Sequence, residues 1–209
     1  MNSIESIESL LPEGVVLFNL LDKLRELSWG AADILMAYSR GDKPPFGFPQ
    51  VLSIEEGLDG PVSAADIAVN NWLLDGLQSY FPSINWSLLS EENAKGNLEQ
   101  KIRIDDGWIW ILDPLDGTKD FISGSGEYAV HLALMHNYQP VLGVVLIPEL
   151  EELWFGGFSI GAWCENRSRE KRLCCFSNRS KLNEMILVAS RSHRDHRLDK
   201  LIHKLNFAN

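Results

Sequence analysis

Trp108-Ile109-Trp110-Ile111-Leu112 is an unbroken apolar run that ends on Asp113-Pro114-Leu115-Asp116-Gly117-Thr118. Five bulky apolar residues in succession predict a buried strand. The six residues after that run constrain the chain most. Two carboxylates three positions apart, at a rigid junction between strand and loop, can face one point. Pro114 fixes the backbone there, which lets the carbonyl of Leu115 act as a further oxygen ligand. Hard oxygen donors of this kind suit Mg²⁺, which takes a few carboxylates, waters and substrate phosphate. Gly117 and Thr118 can then open a helix whose N–H groups point at an anion. The competing reading is an acidic surface turn with a Thr cap. A bare Asp-x-x-Asp would favour it; the six-residue run after an apolar strand, with a mechanical task for each residue, favours a phosphoryl-transfer site.

Further acids lie upstream. Trp86-Ser87-Leu88-Leu89 predicts a short strand that delivers Ser90, Glu91 and Glu92 at its end. Asp59 to Asp66 leads into Ile67, Trp72, Leu73, Leu74 and Leu77, the spacing of an amphipathic helix with an acid in its first turn. Acids placed just past two strands and at one helix start can converge on the same cations.

The remaining pattern predicts a mixed chain. Val15, Phe18, Leu21, Leu24, Ala31 and Leu35 form a helical stripe over residues 14–39, and the prolines of Gly41–Pro49 make a loop. Residues 93–107 read as a polar excursion. Strands are predicted at Tyr128–Met135, Val141–Ile147, Glu152–Phe155, Gly161–Cys164, Arg172–Phe176 and Ile186–Ala189, the first two joined as a hairpin. Leu198, Leu201, Ile202 and Leu205 mark a last amphipathic helix. No internal repeat is visible.

An apolar content of 45% argues against disorder, and no apolar run is long enough to cross a bilayer. The acidic start, Met1 to Glu8, has no basic region of a signal peptide. Cys164, Cys174 and Cys175 have no metal-type spacing and read as reduced thiols of a cytoplasmic protein. The net charge of −10 is uneven: residues 1–160 carry 8 basic and 24 acidic side chains, residues 161–209 carry 11 and 5. The acidic part suits cations and disfavours a nucleic acid polymer. Arg167, Arg169, Lys171 and Arg172 are a solvated loop or an attractor for an anionic substrate.

The set resembles the inositol monophosphatase superfamily of Mg²⁺-dependent, lithium-sensitive phosphomonoesterases, through Gly60–Asp66, Leu89–Glu92, Trp110–Phe121 and Val141–Pro148. Within it, Leu89–Glu92, Asp116–Phe121 and Ser190-Arg191-Ser192-His193 look most like the 3′(2′),5′-bisphosphate nucleotidases. The resemblance implies an α/β (α+β) fold, a layered α-β-α-β-α sandwich. Residues 1–185 would hold a helix pair and an antiparallel sheet with the metal site; residues 186–209 would open a second α/β domain. The family's downstream Trp-Asp-x-Ala motif is absent from these 209 residues, so the expected sandwich is truncated in that domain. The proline-rich loop is expected near the active site.

On the family pattern, Glu91, Asp113 and the Leu115 carbonyl bind one Mg²⁺, and Asp113 and Asp116 bind a second that lacks a third carboxylate. Asp66 with Thr118 would activate water. Substrate would be held by Glu91, Leu115, Asp116, the N–H groups of Gly117 and Thr118, and by Ser190 and His193 on the nucleotide. Glu92 would support from behind or serve as a plain surface acid, and Ser63 keeps the hydroxyl of a position where Thr is common. His193 is balanced between a structural and a nucleotide-binding role; His131, His136, His196 and His203 have no partner spacing. The implied partner is a small phosphorylated substrate, with homo-oligomers possible. The expected activity is removal of the 3′-phosphate of 3′-phosphoadenosine 5′-phosphate. The alternatives are an inositol or other sugar phosphatase, and an inactive remnant of such an enzyme.

Overall fold

The computed structural model describes residues 6–57, 60–84, 86–96, 107–174, 178–188 and 195–205. The chain divides into two compact units, Met1–Leu173 and Cys174–Asn209. The larger unit opens with a short helix α1 (Ile7–Leu10) and the long helix α2 (Leu17–Arg40). Leu20, Leu24, Leu27, Ala31, Ile34, Leu35 and Tyr38 recur every three or four residues along α2 and are all buried. A two-stranded hairpin, β1 (Ile54–Gly57) and β2 (Gly60–Ser63), leads directly into helix α3 (Ala64–Tyr80). This hairpin has no signature in the sequence, because its four-residue strands are too short to carry a period.

Helices α2 and α3 pack together very closely. A Cβ on Gly30 would sit 2.5 Å from the Trp72 ring, so no larger residue fits there without moving one helix. The Trp72 indole N–H donates to the Leu27 carbonyl at 2.8 Å across the same contact. The loop predicted at Gly41–Pro49 is a loop, fastened by Phe46 stacked on Trp72 and by the Tyr38 hydroxyl on the Pro49 carbonyl.

Seven strands make up the rest of this unit: β3 (Ser87–Ser90), β4 (Trp108–Asp116), β5 (Ala129–His136), β6 (Gln139–Ile147), β7 (Glu152–Gly157), β8 (Gly161–Glu165) and β9 (Lys171–Leu173). They form one sheet in chain order. Every neighbouring pair is antiparallel except β3 and β4, which run parallel. Alternate residues Trp110, Leu112, Leu132, Leu134, Leu142, Val144, Leu146, Leu153 and Phe155 are buried beneath α2 and α3. A buried ion pair locks the same layers: Arg25 Nε lies 2.5 Å from Glu165 Oε1 and its guanidinium also bonds Asp22. Short helices α4 (Glu91–Gly96) and α5 (Thr118–Ser123) leave the ends of β3 and β4.

The smaller unit holds a 3₁₀ turn at Leu182–Glu184 and helix α6 (His196–Leu205). Asp195 caps α6, its carboxylate accepting the N–H groups of Arg197 and Leu198 at 3.0 and 2.8 Å. No described side chain of α6 is buried. The strand predicted at Ile186–Ala189 is a correction: Ile186, Leu187 and Val188 belong to no strand and are exposed. Apolar alternation supplies β-propensity, but a strand forms only where a neighbour takes up its backbone hydrogen bonds. The Arg172–Phe176 strand is confined to Lys171–Leu173, with Cys175 and Phe176 outside the described residues. Among the described residues, no helix is long and apolar enough to cross a membrane.

Candidate active site

The parallel pairing of β3 and β4 builds the centre of the site. Ser90 lies opposite Leu112, so the next residues out, Glu91 and Asp113, emerge side by side at the same sheet edge. Ser90 anchors this junction to the helix layer. Its buried hydroxyl donates to the Asn70 side chain of α3 and accepts the Glu92 N–H at 3.2 Å. Glu92 is thus held by its backbone directly behind Glu91. The β4–β5 ladder is regular to Asp113 opposite His131, then shifts register before Asp116 reaches Ala129. Pro114, which has no N–H to offer a ladder, sits inside this irregularity, and the Leu115 N–H turns back to Asp113 Oδ1 at 3.1 Å.

The electrostatics of the cluster are those of crowded carboxylates. Asp113 is pushed up to about 7, first by burial, then by the charge and hydrogen bond of Glu91 and by the charge of Asp116. A carboxyl group with that affinity for a proton is holding one where a cation is wanted. The donors are all oxygen, the preference of a hard divalent ion. Among the described residues, no three His, Cys, Asp or Glu side chains are already closed into a metal-holding cluster. The proton bridging Glu91 and Asp113 stands in the place where charge neutralisation begins.

A second group lies at the start of α3. Asp66 is 2% exposed, and its Oδ2 accepts the Ser63 N–H at 2.8 Å and the Ser63 hydroxyl at 2.6 Å. The Ser63 hydroxyl oxygen in turn takes the Ala65 N–H, completing a capping box. This explains only half of the carboxylate. The other oxygen, Oδ1, accepts the Thr118 hydroxyl at 3.0 Å, and that hydroxyl also lies 3.1 Å from the Leu115 carbonyl oxygen. Burial raises Asp66 above the ordinary carboxylate value despite these donors. Thr118 therefore joins the acid of α3 to the loop after β4.

Gly117 makes that turn possible. Its φ is +92°, and a Cβ would lie 2.9 Å from the Glu127 carbonyl oxygen, so both conformation and space demand glycine. It is the N-cap of α5, and no side chain caps the helix there.

The sequence-predicted residues Asp66, Glu91, Asp113, Leu115, Asp116, Gly117 and Thr118 thus lie on the ends of β3 and β4 and on the two helix starts beside them. Ser190 and His193 lie outside the described residues. One neighbour escapes a reading of the sequence. His131, opposite Asp113 on β5, has its Nε2 3.9 Å from Asp116 Oδ2. Alternation along β5 gives the face of His131 to within a choice of two. Only the β4–β5 register, which no local signal encodes, puts it against the acids.

Comparison with known proteins agrees with this geometry. Residues 20–209 match the model of the inositol monophosphatase family. The 3′(2′),5′-bisphosphate nucleotidase CysQ of Escherichia coli K12 is 33% identical over 186 residues, covering 89% of this chain and 69% of its own. The inositol monophosphatase of Anabaena superposes with a TM-score of 0.59 at 27% identity, over 80% of this chain and 53% of that protein. Inositol monophosphatase II of Staphylococcus aureus gives a TM-score of 0.65 at 18% identity, a likeness of fold, over 90% of this chain and 62% of its own. The chain therefore spans little more than half the length of these solved relatives. By the family match, the nucleotidase relative and the shared fold, the chain belongs to the inositol monophosphatase family.

Proposed function

We propose that this chain carries the cation-binding and water-activating part of a Mg²⁺-dependent phosphomonoesterase acting on 3′(2′),5′-bisphosphate nucleotides, releasing phosphate from 3′-phosphoadenosine 5′-phosphate and leaving AMP. The observation that carries the reading is Asp113, held up to about 7 between Glu91 and Asp116. Three acids gathered on one sheet edge repel each other unless a cation lies among them. Glu91, Asp113 and the Leu115 carbonyl would hold one Mg²⁺, and Asp113 with Asp116 a second. Bound there, the ions supply Lewis acidity that acidifies water and neutralises phosphoryl charge.

The protein's own groups account for the rest. The Thr118 hydroxyl donates to Asp66 Oδ1, leaving its lone pairs to accept a proton from water. Asp66, buried and already raised, is the group on which that proton comes to rest. The N–H groups of Gly117 and Thr118 would hold phosphate oxygens, and Ser190 and His193 would contact the nucleotide. The nucleotide reading is favoured by the CysQ relative at 33% identity. A second reading, a sugar phosphatase, draws on the Anabaena inositol monophosphatase at 27%.

The deciding experiment is phosphate release by the purified chain with Mg²⁺, from adenosine 3′,5′-bisphosphate, inositol 1-phosphate and AMP at equal concentration. Release from the bisphosphate nucleotide at least tenfold above the others is expected. Preference for inositol 1-phosphate would move the assignment to the sugar phosphatases.

A further inference from the structure

Asp113 stands between two sets of donors. On one side are Glu91 and the loop that presents the Leu115 carbonyl; on the other are Asp116 and His131. His131 is the direct cross-strand partner of Asp113, so both side chains leave the same face of the sheet. Glu91, Asp113 and His131 line one cavity of about 560 Å³. The 3.9 Å between His131 Nε2 and Asp116 Oδ2 is too long for a hydrogen bond. It does match two ligands of one ion. With metal bonds of about 2.0–2.2 Å, donor atoms end about 3 Å apart when adjacent and about 4.2 Å apart when opposite in an octahedron.

We propose that His131 joins Asp113 and Asp116 in a mixed imidazole–carboxylate site that takes Zn²⁺ in preference to Mg²⁺. The inference rests on the cation-site reading above and gives the two sides of Asp113 different chemistry. The Glu91 side offers oxygen alone, which suits Mg²⁺. The His131 side adds an imidazole nitrogen, which Mg²⁺ does not favour and Zn²⁺ accepts readily. As they stand the three side chains are not closed on one point. His131 and Asp116, at 44% and 60% side-chain exposure, have room to rotate toward it. His136, at the far end of the same strand, is stacked on Trp108 with ring centroids 4.2 Å apart and serves as an internal control.

The test is titration of the metal-free chain with Zn²⁺ alone and Mg²⁺ alone by calorimetry, in wild type, His131→Asn and His136→Asn. In parallel, the imidazole ¹⁵N resonances of the wild type are monitored through the Zn²⁺ titration. Zn²⁺ affinity is expected to fall at least tenfold in His131→Asn and to hold in His136→Asn, with Mg²⁺ affinity within twofold throughout. The His131 Nε2 resonance should shift to the metal-bound position at the first equivalent of Zn²⁺. An unmoved His131 resonance, or equal losses for both ions, overturns the proposal while leaving the Mg²⁺ site intact. Failure of the wild type to bind either ion overturns the cation-site reading along with it.

Discussion

Replacing Asp113 by Asn is predicted to stabilise the chain when divalent ions are absent. Asp113 titrates near 7 in the folded chain and near 4 when unfolded, a difference of about 3 pH units. At 1.36 kcal/mol per unit this would be about 4 kcal/mol, and screening of a side chain only partly buried reduces it to about 2 kcal/mol. Proton counts give the sign. Between about pH 4 and 7 the folded chain keeps a proton that the unfolded chain has released, so stability falls as pH rises through that window and stays low above it. Asn carries no such penalty. At about pH 8 in chelator, Asp113→Asn should therefore melt about 4–8 °C above wild type, and the gain should vanish near pH 4. Adding Mg²⁺ at ten times its Kd should raise wild type by about 1.4 kcal/mol and the variant by much less. Thermal melts read by tryptophan fluorescence report on the right region, because Trp86, Trp108 and Trp110 pack against one another on β4 and just before β3. A variant less stable than wild type at about pH 8 in chelator would refute the reasoning.

Thr118→Val removes the hydroxyl between Asp66 and the Leu115 carbonyl, and should cost about 1–2 kcal/mol in urea denaturation and a factor of about 10²–10⁴ in phosphate release. Thr118→Ser should restore both. Gly117→Ala places a Cβ 2.9 Å from the Glu127 carbonyl oxygen at a φ of +92°, and should destabilise by about 2–3 kcal/mol in the same assay. Arg25→Ala strands the 3%-exposed Glu165 side chain and should cost about 3–5 kcal/mol; the double variant Arg25→Met, Glu165→Leu should recover most of it.

Much of the larger unit is legible in the sequence because its signals are local. The apolar stripe of α2, the Ser63–Asp66 start of α3 and the apolar run of β4 each name their own element. So does the Asn137–Tyr138 turn between β5 and β6, where both residues have the positive φ that a tight hairpin needs. The convergence of Glu91 and Asp113 can be stated from sequence only as a possibility. Its cause, parallel pairing of β3 with β4 against an otherwise antiparallel sheet, is a matter of strand order that neither segment encodes. His131 escapes for the same kind of reason, and the Arg25–Glu165 pair joins residues 140 positions apart with no local trace. Ile186–Val188 fails in the opposite direction, a good strand pattern without a partner in the described structure.

The measurement that bears most directly on the central claim is proton release on Mg²⁺ binding. If Glu91 and Asp113 share a proton at a site built for a cation, Mg²⁺ must displace it. Calorimetric titrations at about pH 7, in buffers of different ionisation enthalpy, should then show release of a substantial fraction of one proton per ion bound by wild type and close to none by Asp113→Asn. Mg²⁺ binding without proton release, or with the same release in the variant, would contradict the claim that these carboxylates form the cation site.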